Sequence, residues 1–292
     1  MAGRGIDEAL AGVRRSIGGA IFARIAGPDG VEVRQRLRTS DGARWFEPGS
    51  PITRVHGDAS MFIGGLSALL LQSLHPLAMA GVAEHSGYRG DPWGRLARTS
   101  RFLAETTFGS AADATRAVAV VRGVHRRVVG TAPDGRPYAA SDPHLLAWVH
   151  LAEVDSFLRA HQCYGIDPLT AAEADEYVTQ SGRIATALGA LDVPQSVADV
   201  HEALCAYRPE LRSTPAARAA ARFLVATPPL PLAVRPAYLP IAGAAVGLLP
   251  RWARWPLRLP WLPVTEATVV RAAGDVVTRG IRWALPAAPA AN

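Results

Sequence analysis

Eight histidines carry most of the chemical potential of this 292-residue chain: His56, His75, His85, His125, His144, His150, His161 and His201. His125 stands in AVAVVRGVHRRVVG, where Val121 and Val128 share its face on a helix and Arg122, Arg126 and Arg127 surround it. A neutral imidazole projecting from an apolar face suits a haem axial ligand, and neighbouring guanidinium groups suit its propionates. His150 and Glu153 form His-x-x-Glu, the reverse of the Glu-x-x-His motif of di-iron bundles. With Glu84 and Glu105 they make a second candidate, a non-haem iron site.

Other chemistries are excluded or weak. The 31 cationic side chains are all arginine, so Schiff-base, P-loop and acid/base chemistry by lysine are absent. Ser60, Ser67 and Ser73 lie in an apolar run without a G-x-S-x-G elbow. Cys163 and Cys205 form no disulfide framework and have no metal-ligand partner at short spacing, which predicts a reduced, cytoplasmic protein. The net charge of +6 favours anionic partners, but the arginines are singly dispersed, so nucleic acid is not among the expected ones. The first 16 residues include acidic groups and no sustained apolar core, which is not the pattern of a secretory signal.

These residues need helices to position them. The window from Ala59 to Ala83 has no formal charge and is long enough to span a membrane, but Gln72, His75 and Pro76 interrupt it. A buried core helix bent at the His75-Pro76 step is expected instead. Helical patterns follow over 95–108, 111–130, 144–163 and 170–188, with starts at Ser141-Asp142-Pro143 and Asp167-Pro168 and stops at Gly109, Gly130, Gly165 and Gly189. No stretch alternates over a full strand length except around Val31 to Val33, so the class is all-α. Dense prolines from Thr227 to Pro263 break the C-terminal third into short apolar pieces. Trp252, Trp255 and Trp261 alternate there with arginines, a pattern shared by interfacial membrane belts and by a lid packed on a helical core.

The run GGLSALLLQSLHPLAMAGVAEHSGYRGDPWGRLARTSRF, then VRGVHRRVVG, YAASDPHLLAWVH and CYGIDPLTAAEADEY, resembles the mpaB-type oxygenase and rubber oxygenase (latex clearing protein) catalytic domain family over about residues 45–280. The resemblance implies a globin-like helical core that binds haem b and uses dioxygen to cleave carbon-carbon double bonds. It assigns His125 as the proximal iron ligand, Arg95 and Thr99 as residues flanking the distal haem side, and Arg98 the position of an iron-ligating lysine. Arg98 departs from that lysine, since a guanidinium stays protonated and offers iron no lone pair. The distal glutamate also lacks a counterpart: its interval from Arg95 falls near Met79, and the nearest carboxylate is Glu84. Both departures argue against polyisoprene as the substrate.

The expectation is therefore one all-α domain with a globin-like core over 45–280, an N-terminal wrapping segment over 1–44 and a disordered tail over 281–292. The expected function is a haem b-dependent oxygenase acting with dioxygen on an apolar, unsaturated small molecule. Arg98 and Thr99 would be the catalytic hydrogen-bond donors, Arg95, Thr99 and His125 the cofactor-binding residues, and His125 the iron ligand. Two alternatives stand beside it: a non-catalytic haem or lipid-binding module at a membrane surface, and a di-iron carboxylate oxidase. The expected location is cytoplasmic, with peripheral contact at the inner membrane face.

Overall fold

The computed structural model describes residues 2–87 and 89–285. In chain order the helices are α1 (Ala2–Ala26), α2 (Gly30–Thr39), α3 (Pro51–Gly57), α4 (Met61–Gln72), α5 (Pro76–His85), α6 (Pro92–Phe108), α7 (Ala111–His125), α8 (Pro143–Tyr164), α9 (Ala171–Leu188), α10 (Val197–Tyr207), α11 (Pro215–Val225), α12 (Arg235–Leu248), α13 (Arg251–Arg254), α14 (Pro263–Thr265) and α15 (Arg271–Ala284). Two three-residue strands, β1 (Val129–Thr131) and β2 (Pro137–Ala139), pair antiparallel between α7 and α8. The fold is all-α.

The centre is α8, which is buried along most of its length and on nearly all sides, as expected of a helix apolar all round. Against it lies α4, and Gly64 explains how closely: a Cβ there would meet Phe157 Cα at 3.1 Å and Ala160 Cβ at 3.0 Å. Small residues repeat the device at the next interface, where Ala242, Ala244 and Ala245 of α12 pack towards Ile63 and Leu66 of α4. Helices α9 and α10 cover another side of α8, and α3 sits between α6 and α9. As the apolar window predicts, α4 and α5 are two pieces bent by 109°, with His75 capping and Pro76 opening the second. No single described helix is long and apolar enough to cross a membrane.

Local signals explain most boundaries. Asp142 accepts from the His144 N–H ahead of α8, and Asp91 from the Gly94 N–H ahead of α6. The start of α9 is set by Thr170, whose reciprocal box with Glu173 satisfies two backbone donors, and not by Asp167-Pro168. Gly189 ends α9 in the left-handed region at φ +112°. The pattern over 111–130 stops early: α7 ends at His125, Val128 leaves the helix, and Gly130 enters β1 opposite Tyr138. Three-residue strands are too short to announce themselves by alternation.

The termini also differ in part from expectation. Helix α1 wraps along α6 and α15, but residues 281–284 are the packed end of α15 and no tail. Ile281 and Ala284 are buried, and Arg282 reaches both carboxylate oxygens of Asp58 at 2.8 and 2.9 Å. Residues 286–292 of that expected tail lie outside the described residues. The proline-rich third folds back over α4, fastened by buried Arg254, which donates to Glu266 at 2.6 Å and to the carbonyl oxygens of Gly247 and Leu249.

Candidate functional site

The i, i+3 spacing of His150 and Glu153 on α8 turns both into the interior. Gln72 at the end of α4 donates to Glu153 Oε1 at 3.3 Å, while its own carbonyl accepts from Trp148 Nε1 at 3.1 Å. From α3 comes His56, whose Nδ1 lies 2.9 Å from Thr107 Oγ1 and whose ring meets Phe157 and Tyr177 edge-on. Tyr177 and Ser181 arrive from α9, one turn apart. Five helices thus bring polar side chains to one apolar core.

Burial sets the electrostatics of this cluster. It lifts the Glu153 carboxyl to about 7, only partly opposed by the Gln72 hydrogen bond and the charge of Arg95. It lowers His150 to about 4 and His56 to about 3, so both imidazoles are neutral near neutral pH. Tyr177 is raised, again by burial. Three atoms are left without a hydrogen-bond partner: His150 Nε2, Tyr177 OH and Ser181 Oγ. Ser181 lies close enough to ease the Tyr177 hydroxyl's ionisation slightly, but the two do not meet with hydrogen-bond geometry.

Glu153 and His56 feel strong desolvation and yet both retain accessible surface. Gly65, on the same helix as Gln72, has room beside it, since an added Cβ would touch nothing nearer than Phe157 Cε1 at 4.0 Å. Helix α6 packs mainly on α7, α1, α2 and α3, and its Arg95 is near enough to act on Glu153.

Helices α6 and α7 are joined by Gly109 and Ser110 and run back along each other. Arg95 and His125 each lie about 20 Å from that turn at the helical rise, so they occupy the same end of the pair. His125 is half-buried, its Nδ1 is shut from solvent without a partner, and burial lowers its proton affinity. Arg95, Thr99 and Phe102 share one face of α6 at i, i+4 and i+7. Thr99 is exposed and Arg95 half-buried on that face. Arg98 is on the flank, exposed and 3.3 Å from Asp91 Oδ2 at the cap of its own helix.

The alternative iron set does not assemble. Glu105 is held by Arg36 and Arg101, Glu84 by Tyr138, and Glu153 by Gln72, and among the described residues these carboxylates do not converge with His150 on one point. Nor does either position near the family's glutamate interval supply an interior base: Met79 packs on Ala220, and Glu84 is exposed. The interior carboxylate with a raised proton affinity is Glu153. The sequence shows it only as half of His-x-x-Glu, because its environment comes from four other helices.

Residues 53–280 match a family described as ER-bound oxygenase mpaB/B'/Rubber oxygenase, catalytic domain. Neither the curated proteins nor the solved structures contain a match.

Proposed function

The chain belongs to the mpaB and rubber oxygenase catalytic domain family, and within that family we propose that it is a haem b-dependent oxygenase acting on an apolar, unsaturated small molecule. The observation that carries the cofactor assignment is His125, a neutral imidazole with a buried nitrogen that no protein group engages. Such a nitrogen is costly to bury unless something else binds it, and iron is what this family's chemistry calls for. The open side of Gly65 leaves room beside α4.

In this reading His125 holds the iron, and Arg95 and Thr99, on one face of α6 at the level of His125, line the cofactor. Haem, when bound, supplies the iron at which dioxygen is activated. The protein's own work is to exclude water, orient the substrate against apolar residues of α4, and manage protons. Glu153 suits the last task, because a carboxyl near 7 gives and takes a proton at neutral pH with little driving-force penalty. Arg98 could donate a hydrogen bond at the distal side only after leaving Asp91, and Thr99 needs no such release.

An apolar substrate is most concentrated in a lipid phase. We infer peripheral contact with the cytoplasmic membrane face through the C-terminal cover, where Trp255 is 88% exposed and Trp261, Leu262 and Val264 are also exposed beside Arg251 and Arg258.

Replacing His125 with alanine tests the assignment. Purified wild type is expected to show a Soret band and one haem per chain, and H125A to lose both while keeping its helical circular dichroism. Full haem retention with an unchanged spectrum in H125A would overturn the ligand, and bound iron without a Soret band in wild type would overturn the cofactor.

A further inference from the structure

A second polar cluster forms where α5, α8 and the 3-10 turn Arg208–Glu210 meet. His75 caps α5, His144 occupies the first turn of α8, and Glu210 ends the 3-10 turn. The carboxylate of Glu210 lies 2.9 and 3.0 Å from His144 Nε2 and 3.4 Å from His75 Nε2. The three ligand-type atoms lie within 4.8 Å of one another. The Arg212 N–H donates to the Leu74 carbonyl at 2.8 Å, which fixes the Glu210 turn beside His75.

Hydrogen-bond bookkeeping at His144 shows what the cluster lacks. The Tyr207 hydroxyl donates to the His144 carbonyl oxygen at 2.8 Å, so its proton is committed. Towards His144 Nδ1, 3.2 Å away, the same oxygen can then only accept. In the tautomer with its hydrogen on Nδ1, the Nε2 lone pair faces the oxygens of Glu210. Two acceptors at 2.9 Å repel unless a cation stands between them. A proton would answer that need for one pair of atoms, but His75 Nε2 converges on the same carboxylate.

We propose that His75, His144 and Glu210 form a binding site for one divalent transition-metal ion, distinct from the iron position at His125. Metal bonds of about 2.0 to 2.2 Å place neighbouring ligand atoms about 3.0 Å apart at right angles and about 3.4 Å apart at the tetrahedral angle, which is the spacing each imidazole already has to the Glu210 carboxylate, with all three groups within 4.8 Å. Two imidazoles and one carboxylate on one side of the ion leave further coordination positions open. They open outward, because His75 is buried while His144 is exposed and Glu210 half-buried. The outer shell is in place: Tyr207 stacks on His144 at 4.6 Å and orients it through Nδ1, and Trp148 lies 5.3 Å from Tyr207 and 6.1 Å from His75. His75 Nδ1 accepts only a long hydrogen bond, 3.5 Å from the Ala78 N–H; presenting the Nε2 lone pair to the ion moves the ring hydrogen to Nδ1 and gives up that cap. Arg136, whose charge acts on His75 and Glu210, is occupied by Asp134 at 2.8 and 3.0 Å.

Calorimetric titration of the purified full chain with zinc chloride near neutral pH tests the site. One zinc ion per chain is expected, with a dissociation constant in the micromolar range or tighter. His144→Ala and Glu210→Gln should each weaken it by about 100-fold or more, and Tyr207→Phe by about 10-fold through the lost orientation of His144. A simple surface ion pair would not respond to Tyr207→Phe. His125→Ala should leave zinc binding unchanged, so this site can stand or fall apart from the haem assignment. Binding weaker than about 1 mM in wild type would overturn the proposal. So would stoichiometric zinc binding that survives both His144→Ala and Glu210→Gln.

Discussion

Two buried polar clusters in this molecule use similar residues to opposite ends. At the head of α7, Asp113 accepts from Ser110 Oγ at 2.7 Å, the Ser110 N–H at 3.2 Å and Ser40 Oγ at 2.9 Å, and it pairs with Arg116. Neighbouring Glu105 is held by Arg36 and Arg101. In the core, Glu153 has one long hydrogen bond from Gln72, and His150, Tyr177 and Ser181 each keep an unpartnered atom. Burial alone would raise both acids. Around Asp113 the hydrogen bonds outweigh it and hold the carboxyl down at about 2, whereas around Glu153 they do not and it rises to about 7. A polar cluster that satisfies itself holds structure together, and one that leaves atoms unpaired offers them to a water, an ion or a ligand.

The contrast breaks most visibly at Asp113. Asp113→Ala removes the acceptor for two serines and an arginine at once and should cost about 3 kcal/mol of stability by urea denaturation. Its pH dependence follows from the sign of the shift. The folded carboxyl sits below its ordinary 3.8, so its stabilisation is complete above that value and is lost as pH falls towards about 2, roughly 2 kcal/mol in all. A variant as stable as wild type at neutral pH would show that the network is decorative.

Glu153 should show the opposite slope. Between its ordinary 4.5 and about 7 the folded protein holds a proton that the unfolded chain has released, so raising pH through that window favours unfolding. His56 and His150 push the other way: below 6.5 the unfolded chain takes up protons that these buried rings refuse down to about 3 and about 4. The wild-type profile mixes the two, and the difference between Glu153→Gln and wild type isolates the acid. That difference should grow in the variant's favour by about 2 kcal/mol from pH 4.5 to pH 7, a figure reduced for the carboxyl's partial access to solvent. A flat difference across the window would place Glu153 in water and remove it as a proton carrier.

The same contrast explains what was legible in the sequence. The Asp142-Pro143 helix start and the His75-Pro76 bend are local, because donors and acceptors lie within four residues of each other; the Ser110 and Thr170 boxes are equally local but go unread, and Asp167-Pro168 stands in their place before α9. His125 is read from the sequence as an imidazole on a helical face shared with Val121 and Val128; in the structure α7 ends at His125 and Val128 belongs to the connection that leads into β1, so Val121 alone keeps that spacing. The core cluster was not legible. Gln72, His56 and the Tyr177–Ser181 pair come from three separate helices, and nothing in the spacing of His150 and Glu153 tells how dry their surroundings are. The His75, His144 and Glu210 cluster was hidden for the same reason, since it depends on the 109° bend and on a 3-10 turn more than 60 residues beyond α8's start.

The finest test concerns a single oxygen. A buried hydroxyl with a partner typically contributes about 0.5 to 1.5 kcal/mol, whereas one without a partner carries its desolvation cost uncompensated. Ser110 belongs to the first kind, bonded on both sides within its capping box, and Ser110→Ala should cost about 1 kcal/mol. Tyr177 belongs to the second, fully enclosed with its OH unpaired, so Tyr177→Phe should be neutral or stabilise the ligand-free protein by up to about 1 kcal/mol. The ring stays, so its contacts with His56 and the apolar wall are kept and the measurement reads the oxygen alone. Stripping bound groups before the urea titration is essential, because a ligand that engages the hydroxyl would convert it to the first kind. A loss of about 1 kcal/mol or more in the stripped protein would mean that the hydroxyl is already satisfied, and the distinction between a closed network at Asp113 and an open one at Glu153 would fail at its most direct point.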